Sequence, residues 1–139
     1  MAILNMMGNL PSKLFNKEVD YEADTIKLML LTSSATPNVD VHVYIEDLEG
    51  NEVGGTGYTA GGSTLTGKTV SYSESTDTTT FDADDVVWSS STITARYCVL
   101  YDSDSSVILG YADFGVDKST LGDDFTVTFS SSGIFTSVV

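Results

Sequence analysis

One cysteine, one histidine and six basic residues in a chain of 139 close off several chemistries at the outset. With Cys98 alone there can be no disulfide within the chain. Its place between Tyr97 and Val99, in an apolar run, reads as a buried and inert thiol. His42 alone would have to serve any Ser-His-Asp or Cys-His site, and zinc would need other ligands. It lies beside Asp40 on the polar side of an alternating segment, where a solvent-facing imidazole is expected. The chain therefore reads as a non-enzyme. Six Lys and Arg against twenty Asp and Glu give a net charge of −14 and a pI near 4.1. Nucleic-acid binding needs clustered cations on phosphates, so no DNA or RNA partner is expected. No apolar run approaches the length of a membrane span, and no membrane association is expected. The first residues lack a basic flank and are interrupted by Asn5, Gly8 and Asn9, so no secretory signal is read. Synthesis in a reducing cytoplasm follows as an expectation.

Hydrophobic residues make up 41% of the chain and the mean hydropathy is +0.05, as in a folded domain with its own core. Ser, Thr and Gly are abundant and strong helix formers are sparse, which favours strands and turns. Residues 1–24 stand apart. They hold Met1, Met6 and Met7 among Ile3, Leu4, Leu10, Leu14 and Phe15, without strand alternation. Pro11 can open a short helical turn through Asn16, with Asn9 as its cap. This segment is read as a non-β N-terminal arm on a neighbouring subunit or a flap on its own domain. Residues 25–139 form a single β domain. Ile26–Leu31 suits a strand buried on both faces, and Val39–Leu48 alternates as a half-buried strand through Val41, Val43 and Ile45. Residues 69–74 and 78–81 form a hairpin turning at 75–77. Residues 86–88 give a short strand, and 92–102 a long central strand that turns into 107–114. Phe125, Val127 and Phe129 alternate, and residues 134–139 close the chain. Eight to ten short strands with regular turns predict an all-β fold, a β-sandwich with a jelly-roll-like arrangement favoured.

Residues 62–69, GSTLTGKT, satisfy the phosphate-loop pattern G-x-x-x-x-G-K-[ST]. That chemistry needs a buried strand before the loop and a helix after it. Here glycines precede it and the β-patterned Thr69–Ser75 follows, so no nucleotide site is assigned. Gly55-x-Gly57-x-x-Ala60 imitates a dinucleotide fingerprint and fails for want of a βαβ unit. No cofactor is assigned.

A set of phrases in order carries a family resemblance: DTIKLMLLTSSATPN (Asp24 to Asn38), NEVGGTGYTAGG (Asn51 to Gly62), TFDADDVVW (Thr80 to Trp88), STITARYCVLYD (Ser91 to Asp102) and ILGYADFG (Ile108 to Gly115). Together they resemble a family of small structural proteins of tailed bacteriophages. The resemblance implies a virion structural protein made in the host cytoplasm, and it implies no catalytic residues. Within that class the chain is read first as a capsid decoration or cement protein. Its partners would be the major capsid protein or other virion proteins, and copies of itself in a homo-oligomer. A neck, tail or fibre-base component is the alternative, and a carbohydrate-binding module stacking Tyr58 on a sugar is a further one. The interface is expected from Ile3, Leu4, Met6, Met7, Leu10, Leu14 and Phe15 of the arm, with Tyr58 in the glycine block. Acidic groups at 82–85, 102–104 and 123–124 fall at strand ends, where loops could offer oxygens to a hard cation. Asp and Ser are ordinary turn residues and no segment matches the twelve-residue calcium loop, so no metal is assigned. If a metal site exists, Asp82, Asp84 and Asp85 are its first candidates, because adjacent carboxylates repel.

Overall fold

The apolar run Ile26–Leu31 forms a strand in which five of six residues are buried, as expected of a chain segment covered on both faces. In this computed structural model, which describes residues 4–138, the strands in chain order are β1 (Asn5–Met6), β2 (Ile26–Leu31), β3 (Ser63–Thr64), β4 (Thr69–Ser73) and β5 (Thr78–Asp82). They continue as β6 (Val86–Ser91), β7 (Thr94–Asp102), β8 (Ile108–Ser119), β9 (Asp123–Val127) and β10 (Phe135–Val138), with one helix, α1 (Leu10–Phe15), ahead of β2. The main sheet has the order β1-β8-β7-β2-β3. A three-stranded sheet, β10-β5-β4, and the pair β6-β9 complete the fold, and every pairing is antiparallel. The protein is all-β and sandwich-like, with its helix confined to the N-terminal segment.

The long central strand is β7. Cys98, Val99 and Leu100 are all fully buried, so both of its faces are covered there. It pairs with β2 from Ile26 opposite Asp102 to Leu31 opposite Tyr97. On its other side it pairs with β8, through bulges between Ala95 and Tyr97 and between Leu100 and Tyr101. The β4–β5 hairpin forms as the alternation predicts, with Asp77 at φ 50° in its turn. Strand β8 runs five residues past Phe114, and this extension is exposed.

One expected strand is absent. Residues 39–48 form a turn and a 3-10 helix at Ile45–Asp47, followed by a second at Glu49–Asn51. Local side chains draw the backbone away from a ladder. The Asn38 side chain accepts from the Asp40 N–H at 2.8 Å, His42 Nδ1 accepts from the Asn38 N–H at 3.0 Å, and Asp47 accepts from the Val43 and Tyr44 N–H groups. Val41, assigned inward by alternation, is 67% exposed.

The N-terminal segment folds onto its own domain. β1 pairs with β8, the Met7 N–H donates to Leu109 O at 2.9 Å, and the Leu4 N–H to Ile134 O at 3.2 Å. Leu4, Met7 and Leu10 are buried in the common core. Pro11 stands in the first turn of α1 as expected, but Asn9 makes no side-chain cap; the Ser12 hydroxyl donates to its carbonyl instead. Met1 and Ile3 lie outside the described residues.

Candidate functional site

The interface residues read from the sequence divide sharply by exposure. Leu4, Met7 and Leu10 are core residues of this chain, and Met6 and Leu14 pack partly against that core. The apolar surface of Leu4, Met7 and Leu10 is covered within the chain, and that of Met6 and Leu14 only in part. Phe15, at the end of α1, is the exception at 89% exposed.

Phe15 is not isolated. Directly opposed residues on an antiparallel pair share a face. Val70 therefore stands beside Phe81, and Tyr72 beside Thr79. The helix covers this face at β5, where Phe15, Leu14, Thr79 and Phe81 line one groove. A second groove of about 610 Å³ runs between Leu14, Tyr21 and Val70. Beyond the helix the face is uncovered: every residue of β4 is exposed, with Val70 at 38% and Tyr72 at 59%. The Tyr72 hydroxyl donates to Asp77 at 2.9 Å and pins its ring at the hairpin end. β4 is also an edge strand of its sheet, with no partner on its outer side among the described residues. An apolar strip thus joins an unpaired strand edge, the combination by which sheets add partners.

Tyr58 does not stand out in its loop. Its ring packs 5.8 Å from Trp88, and its hydroxyl donates to Glu52 Oε2 at 2.6 Å. The same hydroxyl accepts from the buried Leu30 N–H at 3.1 Å. Strand β3 covers only Lys27 and Leu28 on the outer edge of β2, so Tyr58 takes the place of a strand where β3 stops. The Val53 N–H donates to Leu30 O, and the Thr32 N–H to Asn51 O, completing that edge. Glu52 Oε2 also accepts from the Gly61 N–H at 2.7 Å, and the Tyr101 hydroxyl donates to Gly61 O at 2.6 Å. Burial, then Glu52, raises the Tyr58 phenol, which stays protonated. The glycine block is therefore a brace laid on β2. Gly62, at φ 88°, carries no Cβ because one would lie 2.0 Å from Leu28 O. The surface anchor expected at Tyr58, for a subunit or a sugar, is thus engaged inside the chain.

The phosphate-loop lookalike runs into strand β4, as its alternation predicts, with no helix to aim at an anion. Lys68 donates to the Asp24 carbonyl and lies 5.9 Å from the centre of the Tyr21 ring.

The three acidic candidates at 82–85 are turned to separate tasks. Asp82 Oδ1 accepts from the Ala83 N–H, Asp84 Oδ2 from the Thr66 hydroxyl, and Asp85 Oδ1 from the Phe129 N–H. The acidic group that converges among the described residues is Asp24, Asp102 and Asp104. Asp102 Oδ1 accepts from the Asp104 N–H at 2.8 Å and, more weakly, from the Ser105 N–H. Its Oδ2 is buried without a hydrogen-bond partner. Asp24 Oδ2 accepts from the Asp20 N–H at 3.0 Å, and Asp104 Oδ2 from the Thr25 N–H at 3.1 Å. Burial, then the Asp24 carboxyl, pushes Asp102 up to about 7. Asp24 itself is lowered, first by the neighbouring Asp102 carboxyl and then by the Asp20 N–H and Lys68. The sequence marked the 102–104 pair as a strand-end cluster. It gave no sign that β2 pairing, with Ile26 opposite Asp102, would bring Asp24 to it. Val70 and Tyr72 were likewise legible as strand residues but not as an uncovered face.

Comparison of the chain with protein-family models, curated proteins and solved structures gives no match.

Proposed function

We propose that this chain is a non-enzymatic structural protein of a tailed-phage virion, attached to the head as a decoration or cement protein. The observation that carries the reading is the Phe15–Val70–Tyr72 strip beside the β4 edge, apolar surface on a strongly acidic protein. An acidic exterior keeps free copies apart, while an apolar strip with an open edge favours a fixed partner. The resemblance of the chain from Asp24 to Gly115 to small phage structural proteins points the same way. The partners are the major capsid protein and further copies of this chain. The docking element is this strip, which keeps Phe15 of the arm, while Leu4, Met7 and Leu10 belong to the core. Each copy need contribute only a few kcal/mol, on the order of one small interface, because symmetry repeats the contact around the shell. Synthesis takes place in the host cytoplasm and the mature location is the particle. A neck, tail or fibre-base position uses the same surface, and copy number separates it from decoration.

The test is a phage carrying Phe15→Ser, Val70→Ser and Tyr72→Ser together. The soluble variant should keep its circular dichroism spectrum and thermal transition, yet be missing from purified particles, which should rupture at lower temperature. Particles that incorporate the variant in full would rule out this surface.

A further inference from the structure

We propose that Asp24, Asp102 and Asp104 form a binding site for a hard divalent cation of the calcium class, tying the segment ahead of β2 to the β7–β8 turn. Each residue offers one carboxylate oxygen, and these oxygens all lie within 4.8 Å of one another. Two oxygens each about 2.4 Å from a shared calcium ion can be no more than about 4.8 Å apart, and the three meet that spacing condition. The donor set is oxygen alone, which suits calcium and not zinc or copper.

A cluster of turn aspartates would mean little without the orphaned Asp102 Oδ2. Asp102 has no exposed surface, and this oxygen meets no donor from the protein. A buried carboxylate oxygen left bare costs desolvation energy that a cation or a proton must offset. Lys68 does not supply the missing donor, since its ammonium donates to the Asp24 carbonyl.

The cluster is held in place by backbone contacts. The Ser103 N–H and hydroxyl both donate to Thr25 O at 2.9 Å, and Thr25 N–H returns a bond to Asp104. The turn closes through the Asp102 N–H on Val107 O and the Ser106 N–H on Asp102 O. Asp104 is exposed, so water completes the coordination from the solvent side. Calcium accepts such an irregular and partly hydrated shell, whereas magnesium demands a near-octahedral one and gives up water reluctantly.

The experiment is calorimetric titration of the chelator-treated full chain with calcium chloride, paired with thermal unfolding at matched ionic strength. Wild type should bind one equivalent per chain and unfold at a temperature that rises with calcium and saturates, with magnesium less effective. Asp102→Asn should abolish the calcium-dependent rise while leaving the calcium-free transition intact or higher, since it removes a buried charge. Asp104→Asn, at an exposed position, should weaken binding at least tenfold. Glu74→Gln with Asp117→Asn, which removes exposed charge elsewhere, should leave binding unchanged. Lys68→Gln should leave or strengthen it. An unsaturable response, equal responses to calcium and magnesium, or a rise that survives in Asp102→Asn would overturn the site. The first of these outcomes would assign the orphaned oxygen to a proton shared with Asp24.

Discussion

Replacing Tyr58 with Phe removes one oxygen and tests whether the glycine block is a structural brace. The ring stays against Trp88, so apolar packing is nearly conserved. Two hydrogen bonds disappear. The Leu30 N–H, on a fully buried residue, loses its acceptor, and an unsatisfied buried group costs about 1–3 kcal/mol. Glu52 loses a donor at 2.6 Å but keeps the Gly61 N–H, and a hydrogen bond to a charged group contributes about 1.5–3 kcal/mol before solvent screening. Because Tyr58 and Glu52 are both half-buried, the lower part of each range applies, and a total near 2–3 kcal/mol is expected. Urea unfolding followed by Trp88 fluorescence should show the midpoint fall with an unchanged slope. A double-mutant cycle with Glu52→Gln should give a coupling of about 1 kcal/mol, as for residues in one network. A loss under about 0.5 kcal/mol, within the range of surface substitutions, would refute the brace.

Further outcomes follow from neighbouring features. Gly62→Ala should destabilise by more than about 2 kcal/mol in the same assay, because its methyl would meet the Leu28 carbonyl in a left-handed backbone. Cys98, fully buried and pushed up to about 12 by burial, should resist alkylation in the native state, with labelling that tracks unfolding. The Arg96 guanidinium, 2.6 Å away, holds Asp113 below its ordinary carboxylate range. A depressed folded-state pKa means that its small contribution is present above the unfolded Asp pKa and lost as pH falls through the folded one. Arg96→Gln should therefore flatten that part of the acid limb in pH-dependent thermal unfolding.

Apolar runs and period-2 alternation carried the fold where side chains answer mainly to burial. The Ile26–Leu31 run, the 69–82 hairpin and the central strand ending at Asp102 all form as read. Alternation misled at Val39–Leu48, where Asn38, His42 and Asp47 bond the local backbone and hold a turn that an apolar pattern cannot report. The N-terminal segment, read as an arm or a flap, is a flap on its own domain. An aperiodic apolar stretch says that Leu4, Met7 and Leu10 will be buried, but not whether their cover is a neighbour or the same chain. Both candidate sites depend on contacts far apart in sequence. Asp24 reaches Asp102 only through strand pairing, and Val70 and Tyr72 are uncovered only because α1 stops short of β4.

The central claim, a virion structural protein docked through the β4 edge, is tested most directly by cryo-electron microscopy of purified particles from a phage encoding this chain. The account predicts density for the fold repeated over the icosahedral shell, with Phe15, Val70 and Tyr72 covered by the capsid protein or a second copy. Density confined to one vertex or the tail would move the protein to the neck, tail or fibre base. Particles that are complete and infectious without this chain, and that never contain it, would contradict the claim.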